Sequence, residues 1–174
     1  NPRQESKLVD KEGGVQHLAN EDVQLFSFET SFNFPFARMF SYIAKESSHE
    51  ALSDNTFIDT PGLFSSNEEH SYSTYQVIDN CDVIFWFVNC RQSISEIELN
   101  FIKEHLPNKP IYFIFTFVDA RGMNEQKEKI AINVIKEKIT EAEIEAKGYL
   151  TFGKQETTQS KFKHELNSIV NILS

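Results

Sequence analysis

Two continuous apolar runs stand out in the second half of the chain. They cover residues 83–88 and 111–118, and neither run alternates with polar positions. Uninterrupted apolar runs of this length are typical of parallel strands that are covered by helices on both faces. The pattern therefore predicts two central strands of a parallel sheet.

A helix is predicted between these two strands. Ser95 can cap the backbone amide of Glu98, the Glu98 side chain can reach back to Ser95, and Ile94 can pack on Leu99. The helix should end near Leu106, because the sequence Pro-Asn-Lys-Pro follows it.

The remaining C-terminal sequence continues the alternation of helix and strand. Residues 124–146 predict a long charged helix, residues 148–152 predict a short strand, and a last amphipathic helix follows. The apolar stripe predicted for the long helix consists of Ile130, Val134, Ile135, Ile139 and Ala142, with Ile132 and Ile144 off the stripe. Strands that alternate with helices in this way specify an α/β fold of three layers, a mainly parallel sheet with helices on both faces.

The first half of the chain is less regular. Residues 1–21 are polar and show no period that would bury a face, which predicts an arm or loop. Residues 23–28 predict a strand and residues 37–45 a short helix. We therefore place one α/β domain over residues 22–174.

One turn in this half carries candidate chemistry. Phe57 and Ile58 predict the end of a buried strand, and the sequence D-T-P-G that begins at Asp59 forces the chain to turn. A carboxylate at the carboxyl end of a parallel strand is well placed to hold the water shell of Mg²⁺, and the amide of Gly62 can reach a terminal phosphate. Because many strands end in an acidic turn, these four residues alone leave a purely structural role open.

Composition narrows the classes of function. The chain has 174 residues, 40% of them hydrophobic, and a net charge of −9, which fits one folded domain and argues against binding nucleic acid. Cys81 and Cys90 flank a predicted strand, so we expect two core residues in a reducing compartment rather than a disulfide. The sequence contains no signal peptide and no apolar run long enough to span a bilayer, so we expect a cytoplasmic protein.

Four segments, taken together, resemble the translation-factor-related GTPases and, within them, the bacterial dynamin-like branch. They are F-I-D-T-P-G-L, C-D-V-I-F-W-F-V, S-E-I-E-L-N-F-I and I-Y-F-I-F-T-F-V-D, in the order and at roughly the spacing of that family. The resemblance covers about residues 55–174. It implies a P-loop GTPase-like fold that binds GTP or GDP with Mg²⁺.

The resemblance also implies roles for individual residues. Asp59 would hold Mg²⁺ through water, Gly62 would sense the γ-phosphate, and Thr116 with Asp119 would hold guanine. Thr30 is the candidate for the threonine that completes the Mg²⁺ shell. The carboxylates of Asp59 and Asp119 are then expected to project toward one nucleotide cleft.

Two departures from the family pattern qualify this expectation. The phosphate-loop motif G-x-x-x-x-G-K-[ST] occurs nowhere in the sequence, and Phe117 replaces the lysine of the N/T-K-x-D motif. We therefore expect these 174 residues alone to bind GTP weakly or not at all. Either the phosphate loop lies outside this chain, or residues 29–34 replace it between a first strand at 23–28 and a first helix at 37–45.

The residues and the resemblance are compatible with more than one function. The first is a dynamin-like GTPase switch domain that self-associates through the domain itself and contacts membranes through segments outside this chain. No catalytic base is assigned, because the family places its catalytic groups mostly in the phosphate loop and the first switch. The alternative is a pseudo-GTPase that presents a protein-interaction surface without turnover, which exposed side chains at Ile132 and Ile144 would favour. An ATPase of related fold is more distant, because Asp119 suits guanine.

Overall fold

The structure is a computed structural model that describes residues 6–10, 12–18, 40–45, 56–60, 78–120, 122–153 and 156–173. The chain divides into two compact units, Asn1–Ser73 and Thr74–Ser174. Each unit has its own small sheet, and the two are described in turn.

The first unit contains a three-stranded antiparallel sheet. Its strands are β1 (Ser6–Asp10), β2 (Val15–Leu18) and β3 (Phe40–Lys45), in the spatial order β2-β1-β3. A tight turn joins β1 to β2, and Gly13 adopts a φ of 87° there, a conformation that glycine reaches without strain. The central strand β1 buries Ser6 and Leu8.

This sheet differs from what the sequence predicts. The polar segment 1–21 contains the β1–β2 hairpin, and the predicted helix over residues 37–45 is wrong because residues 40–45 form strand β3. Apolar residues in so short a segment fit a helix or a strand, and pairing decides between them, since Ile43 lies opposite Leu8 of β1. The strand predicted over residues 23–28 lies outside the described residues.

The segment 56–60 has no regular secondary structure, and all five of its residues are exposed. The prediction that Phe57 and Ile58 end a buried strand is therefore wrong. A short apolar stretch becomes a strand only where a neighbouring strand offers hydrogen-bond partners, and none of the strands that the structure describes pairs with this segment.

The second unit contains a parallel sheet and three long helices. In chain order its elements are β4 (Ile84–Asn89), α1 (Glu96–His105), β5 (Ile111–Thr116), α2 (Glu125–Glu141), β6 (Ala146–Thr151) and α3 (Glu156–Leu173). The strands lie in the order β4-β5-β6, and both pairs are parallel. The two apolar runs therefore form neighbouring parallel strands, as predicted.

Helices contact this sheet on opposite faces. On one face, the ring of Trp86 in β4 lies 5.9 Å from that of Phe101 in α1. On the other face, Ile114 and Leu150 form a buried cluster with Ile169 of α3. The predicted parallel sheet with helices on both faces is confirmed for these three strands, while a complete three-layer P-loop GTPase-like domain stays a prediction.

The buried stripe of α2 differs from the predicted one. Ile135 and Ile139 are fully buried, but Ile130 and Val134 are 57% and 42% exposed, and Ile132 is half-buried. The spacing between positions 132, 135 and 139 is also helical, so spacing alone does not select which face meets the sheet.

The N-terminus of α1 carries the predicted capping box. The Ser95 hydroxyl accepts a hydrogen bond from the Glu98 amide at 3.3 Å, and the Ser95 amide donates to the Glu98 carboxylate at 2.9 Å. The helix ends at His105, and Leu106 is buried as its C-cap. The capping signal and the end of the helix are both confirmed.

We expect the substitution Ser95→Ala to lower the free energy of unfolding by about 1 kcal/mol, because it removes the acceptor for the Glu98 amide. Urea denaturation followed by circular dichroism measures this change. Ser160→Ala, at an exposed position within α3, is the matched control and should change stability by less than about 0.5 kcal/mol. Equal effects of the two substitutions would contradict the capping role.

Candidate functional site

The carboxyl ends of β4, β5 and β6 lie side by side. Asn89 at the end of β4 is in register with Thr116 at the end of β5, and Phe115 is in register with Thr151 at the end of β6. Ligands of open parallel sheets bind outside this edge, because the loops that leave the strands converge there. This edge is the candidate site.

Asp119 lies in the loop that leaves β5. Val118 is buried and anchors the loop, and the Ala120 amide donates to the Phe117 carbonyl at 3.3 Å. Phe117 adopts a φ of 58° and is 50% exposed, so this turn directs an aromatic residue outward through a backbone conformation that side chains rarely adopt. Asp119 itself is half-buried.

The carboxylate of Asp119 packs against Gly153, which follows β6. A Cβ atom at position 153 would lie only 2.8 Å from Oδ2 and 3.1 Å from Oδ1 of Asp119. Gly153 is buried, and the Phe152 amide before it donates to the Phe115 carbonyl at 2.8 Å. The loops after β5 and β6 therefore meet at one carboxylate.

Sequence reasoning missed Gly153 as a site residue. Gly153 precedes a lysine, but Gln155 follows that lysine in place of a serine or threonine, so the pair does not make a phosphate-loop motif. The available signal was a glycine directly after the strand that neighbours β5, since glycine there permits a close approach by another residue.

The Thr116 side chain makes a hydrogen bond to the backbone at the same edge of the sheet. Its hydroxyl donates to the Val88 carbonyl at 3.2 Å and so bridges the tips of β5 and β4. The hydroxyl proton is used by that bond, which leaves the oxygen able to accept a further hydrogen bond.

The loop after β4 is ordered by Asn89. Its side-chain oxygen accepts from the Arg91 amide at 2.9 Å, and its carbonyl accepts from the amides of Gln92 and Ser93. The Cys90 amide donates to the Thr116 carbonyl at 3.0 Å, which joins this loop to β5. An open cleft of about 300 Å³ lies between the two loops, lined by Cys90, Arg91, Ala120, Gly122 and Met123.

The Cys90 side chain is buried beside this cleft, as predicted for a core cysteine. Burial raises the pKa of its thiol from 9.0 to about 11, with a smaller contribution from the negative charge of Glu128. The pKa of Cys81 is also raised, mainly by burial and against the opposing effect of Lys109. Cys90 is therefore a protonated thiol at neutral pH and unsuited to act as a nucleophile.

The predicted site residues fall in different parts of the chain. The structure brings Thr116 and Asp119 together at one sheet edge, while Asp59 is an exposed residue of the first unit. Gly62 and Thr30 lie outside the described residues, so their roles stay predictions, as does the shared cleft of Asp59 and Asp119. Among the residues that the structure describes, no group of three His, Cys, Asp or Glu side chains is arranged to hold a metal ion.

Comparison with known sequences gives one family match. Residues 4–120 match the sequence profile of the dynamin family. No helix in the described part of the chain is long and apolar enough to cross a membrane.

Two curated proteins are similar to parts of the chain. A stretch of 74 residues, 41% of this chain, is 32% identical to dynamin-like protein A of Bacillus subtilis (strain 168) and covers 6% of that protein. A stretch of 87 residues, 48% of this chain, is 30% identical to an uncharacterized protein in the xynA 3'region of Caldicellulosiruptor sp. (strain Rt8B.4) and covers 22% of it. The similarity thus spans a small part of each relative.

The raised pKa of Cys90 predicts the pH range in which its thiol reacts with an alkylating reagent. In a Cys81→Ala variant, we expect alkylation of Cys90 by iodoacetamide to rise with pH around a midpoint near 11, because burial disfavours the thiolate. Keeping Cys90 protonated stabilises the folded state below the ordinary pKa of 9.0, and this contribution is lost as the pH approaches 11. The same variant unfolded in guanidinium chloride is the control and should react with a midpoint near 9.0. A midpoint near 9.0 in the folded protein would contradict the buried environment of this thiol.

Proposed function

Because this chain belongs to the dynamin family, as the match over residues 4–120 establishes, we propose that it forms part of a GTP-binding and GTP-hydrolysing switch domain. The observation that carries the proposal is the placement of the Asp119 carboxylate against Gly153, at the carboxyl end of the central strand β5. This carboxylate is the group that would select guanine.

The chemistry of the base explains this choice. Guanine presents two neighbouring donors, its N1–H and its 2-amino group, and one carboxylate accepts hydrogen bonds from both. Adenine presents an acceptor at N1, which a carboxylate repels. The partner is therefore GTP or GDP rather than ATP.

The phosphate side of the site requires Mg²⁺ and a phosphate loop. We propose that the Asp59 carboxylate, a hard oxygen donor, holds Mg²⁺ through water and that Thr30 completes the Mg²⁺ shell. Gly62 is proposed to sense the γ-phosphate. When bound, Mg²⁺ neutralises negative charge that develops on the phosphates. The sequence contains no phosphate-loop motif, so we propose that a loop outside these residues completes the site.

The edge of β4 favours a further strand beside it. Within its own unit, the described strands pair β4 only with β5. The sequence of β4, Ile-Phe-Trp-Phe-Val-Asn, has no charge and no proline, and Phe87 is 60% exposed. Proteins rarely leave so apolar an edge uncovered, which favours a further strand beside β4 in the intact protein.

The alternative that residues 29–34 replace the phosphate loop has lost its support. It requires a helix over residues 37–45, where the N-terminus would face the phosphates, but residues 40–45 form strand β3. A piece of a larger GTPase domain is therefore the better explanation.

The second candidate function is a pseudo-GTPase that binds other proteins without turnover. The exposure that would favour it at Ile132 and Ile144 is not observed, since both residues are half-buried. Ile130 and Val134 are exposed instead and are the apolar positions of α2 available for such a surface. The first proposal, the GTPase switch domain, also includes self-association through the domain, membrane contact through other segments and a cytoplasmic location.

Isothermal titration with GTP and Mg²⁺ tests the function. We expect the full-length protein to bind GTP and this chain alone to bind it weakly or not at all, because the phosphate contacts supply most of the binding energy. In the full-length protein, Asp119→Ala should weaken binding about 10- to 100-fold, the value of charge-assisted hydrogen bonds of about 1.5–3 kcal/mol. Glu137→Ala, at an exposed position of α2, is the control and should bind like the unaltered protein. Failure of the full-length protein to bind GTP would favour the pseudo-GTPase.

A second prediction concerns Phe117. Its exposed ring stands where the family has a lysine, and it can stack on the purine. We expect Phe117→Ala to weaken GTP binding by the full-length protein about 2- to 10-fold, the value of an aromatic stacking contact of about 0.5–1.5 kcal/mol. Ile97→Ala, at an exposed apolar position of α1, should leave binding unchanged. Equal affinities of the Phe117→Ala variant and the unaltered protein would exclude the stacking role.

A further inference from the structure

An exposed stripe of four residues runs along α2. Ile130 and Val134 are 57% and 42% exposed there. Lys127 precedes this apolar pair by three residues, Glu137 follows it by three, and both are exposed. The resulting spacing of three, four and three residues is that of the contact seam of a coiled coil, in which one stripe of a helix packs against a second helix. These four residues are called the α2 seam below.

The α2 seam lies on a different side of the helix from the residues that anchor α2 in its own unit. Ile135 and Ile139 are fully buried and occupy that anchoring side. The seam also contains none of the residues of the candidate nucleotide site. An apolar pair between two charges of opposite sign has the composition of a small interface, with an apolar centre and a polar rim.

The order of residues in the seam is complementary to its own reverse. Ile130 and Val134 are equally distant from position 132, and so are Lys127 and Glu137. Two antiparallel helices centred on that position therefore place Ile130 of each copy opposite Val134 of the other, and Lys127 opposite Glu137. A parallel pair would instead place each charge opposite a like charge, which is unfavourable.

We propose that two copies of this chain associate through antiparallel packing of their α2 seams around a two-fold axis. The axis repeats each contact, so the interface contains two Ile–Val contacts and two Lys–Glu pairs. An interface of this size is small, and the dimer is therefore reversible. This inference names a surface for the self-association that the proposed function includes, and it does not require a bound nucleotide.

The Lys127 ammonium keeps the capacity to pair with a second copy. It donates to the Gly122 carbonyl at 3.2 Å, which uses one of its three protons. The nearby ammonium of Lys129 is paired within the helix with the Glu125 carboxylate at 2.7 Å. Lys127 is thus the cation of the seam that remains directed to the Glu137 carboxylate of the other copy.

Sedimentation equilibrium of the full-length protein without nucleotide tests the charge pairs. Lys127→Glu puts two carboxylates opposite each other in both symmetric pairs, so we expect the dissociation constant of the dimer to rise about 10-fold. Glu137→Lys should have the same effect. The double variant Lys127→Glu/Glu137→Lys restores opposite charges across the axis, and its dissociation constant should return to that of the unaltered protein.

The apolar centre of the seam has its own matched control. Val134→Asp places a charge between the two helices, and we expect it to raise the dissociation constant at least about 10-fold. Ile97→Asp introduces the same charge at an exposed apolar position of α1, outside the seam, and should leave the dissociation constant unchanged.

Disulfide cross-linking reports the direction of the two helices. Positions 127 and 137 lie about 15 Å apart along one helix, which is too far for a disulfide within one chain. Under mild oxidation, Lys127→Cys/Glu137→Cys should therefore form a cross-linked dimer. Neither single variant should do so, because each new cysteine faces the other position of the second copy. The native residues Cys81 and Cys90 are present in all three variants and give the background.

Three results would overturn the inference. The first is a monomer at all concentrations, which would leave the seam to another protein or to another segment of the intact protein. The second is a dimer whose dissociation constant none of these substitutions changes, and the third is cross-linking of a single variant above the background. A protein that binds GTP but gives any of these results keeps its proposed nucleotide binding, whereas a dimer that passes these tests without binding GTP keeps the inference alone.

Discussion

The parallel pairing of β5 with β4 on one side and β6 on the other is the constraint on which the second unit depends. Four of the six residues of β5 are buried, and they face both sides of the sheet. This pairing puts the ends of three strands at one edge, where the Asn89 loop, the Asp119 loop and Gly153 meet. The candidate site is therefore a consequence of strand order rather than of any single motif.

Elements with strong local signals were predicted well. The uninterrupted apolar runs gave β4 and β5 within a residue or two, and the reciprocal bonds of Ser95 and Glu98 gave the start of α1. Elements that depend on long-range strand pairing were predicted poorly. The residues of β3 fit a helix equally well, and the β1–β2 hairpin lies in a polar segment whose main buried apolar residue is Leu8. The buried face of α2 depends likewise on how the helix meets the sheet.

The residues of the candidate site show the same contrast between local sequence signals and long-range contacts. The sequence predicts that Thr116 and Asp119 lie at the end of one strand, and both lie at that edge of the sheet, while their role in binding guanine stays a proposal. Gly153 was missed because its contact with Asp119 joins loops that follow different strands. The hydroxyl bond of Thr116 to Val88 likewise requires knowledge of which strand is the neighbour of β5. Contacts of this kind become visible only when the strand order is known.

The central proposal is that the Asp119 carboxylate recognises guanine. A crystal structure of the full-length protein with Mg²⁺ and a non-hydrolysable GTP analogue tests it most directly. The account predicts that Asp119 accepts hydrogen bonds from the N1–H and the 2-amino group of the base at about 2.7–3.2 Å. A nucleotide bound away from Asp119 would contradict it.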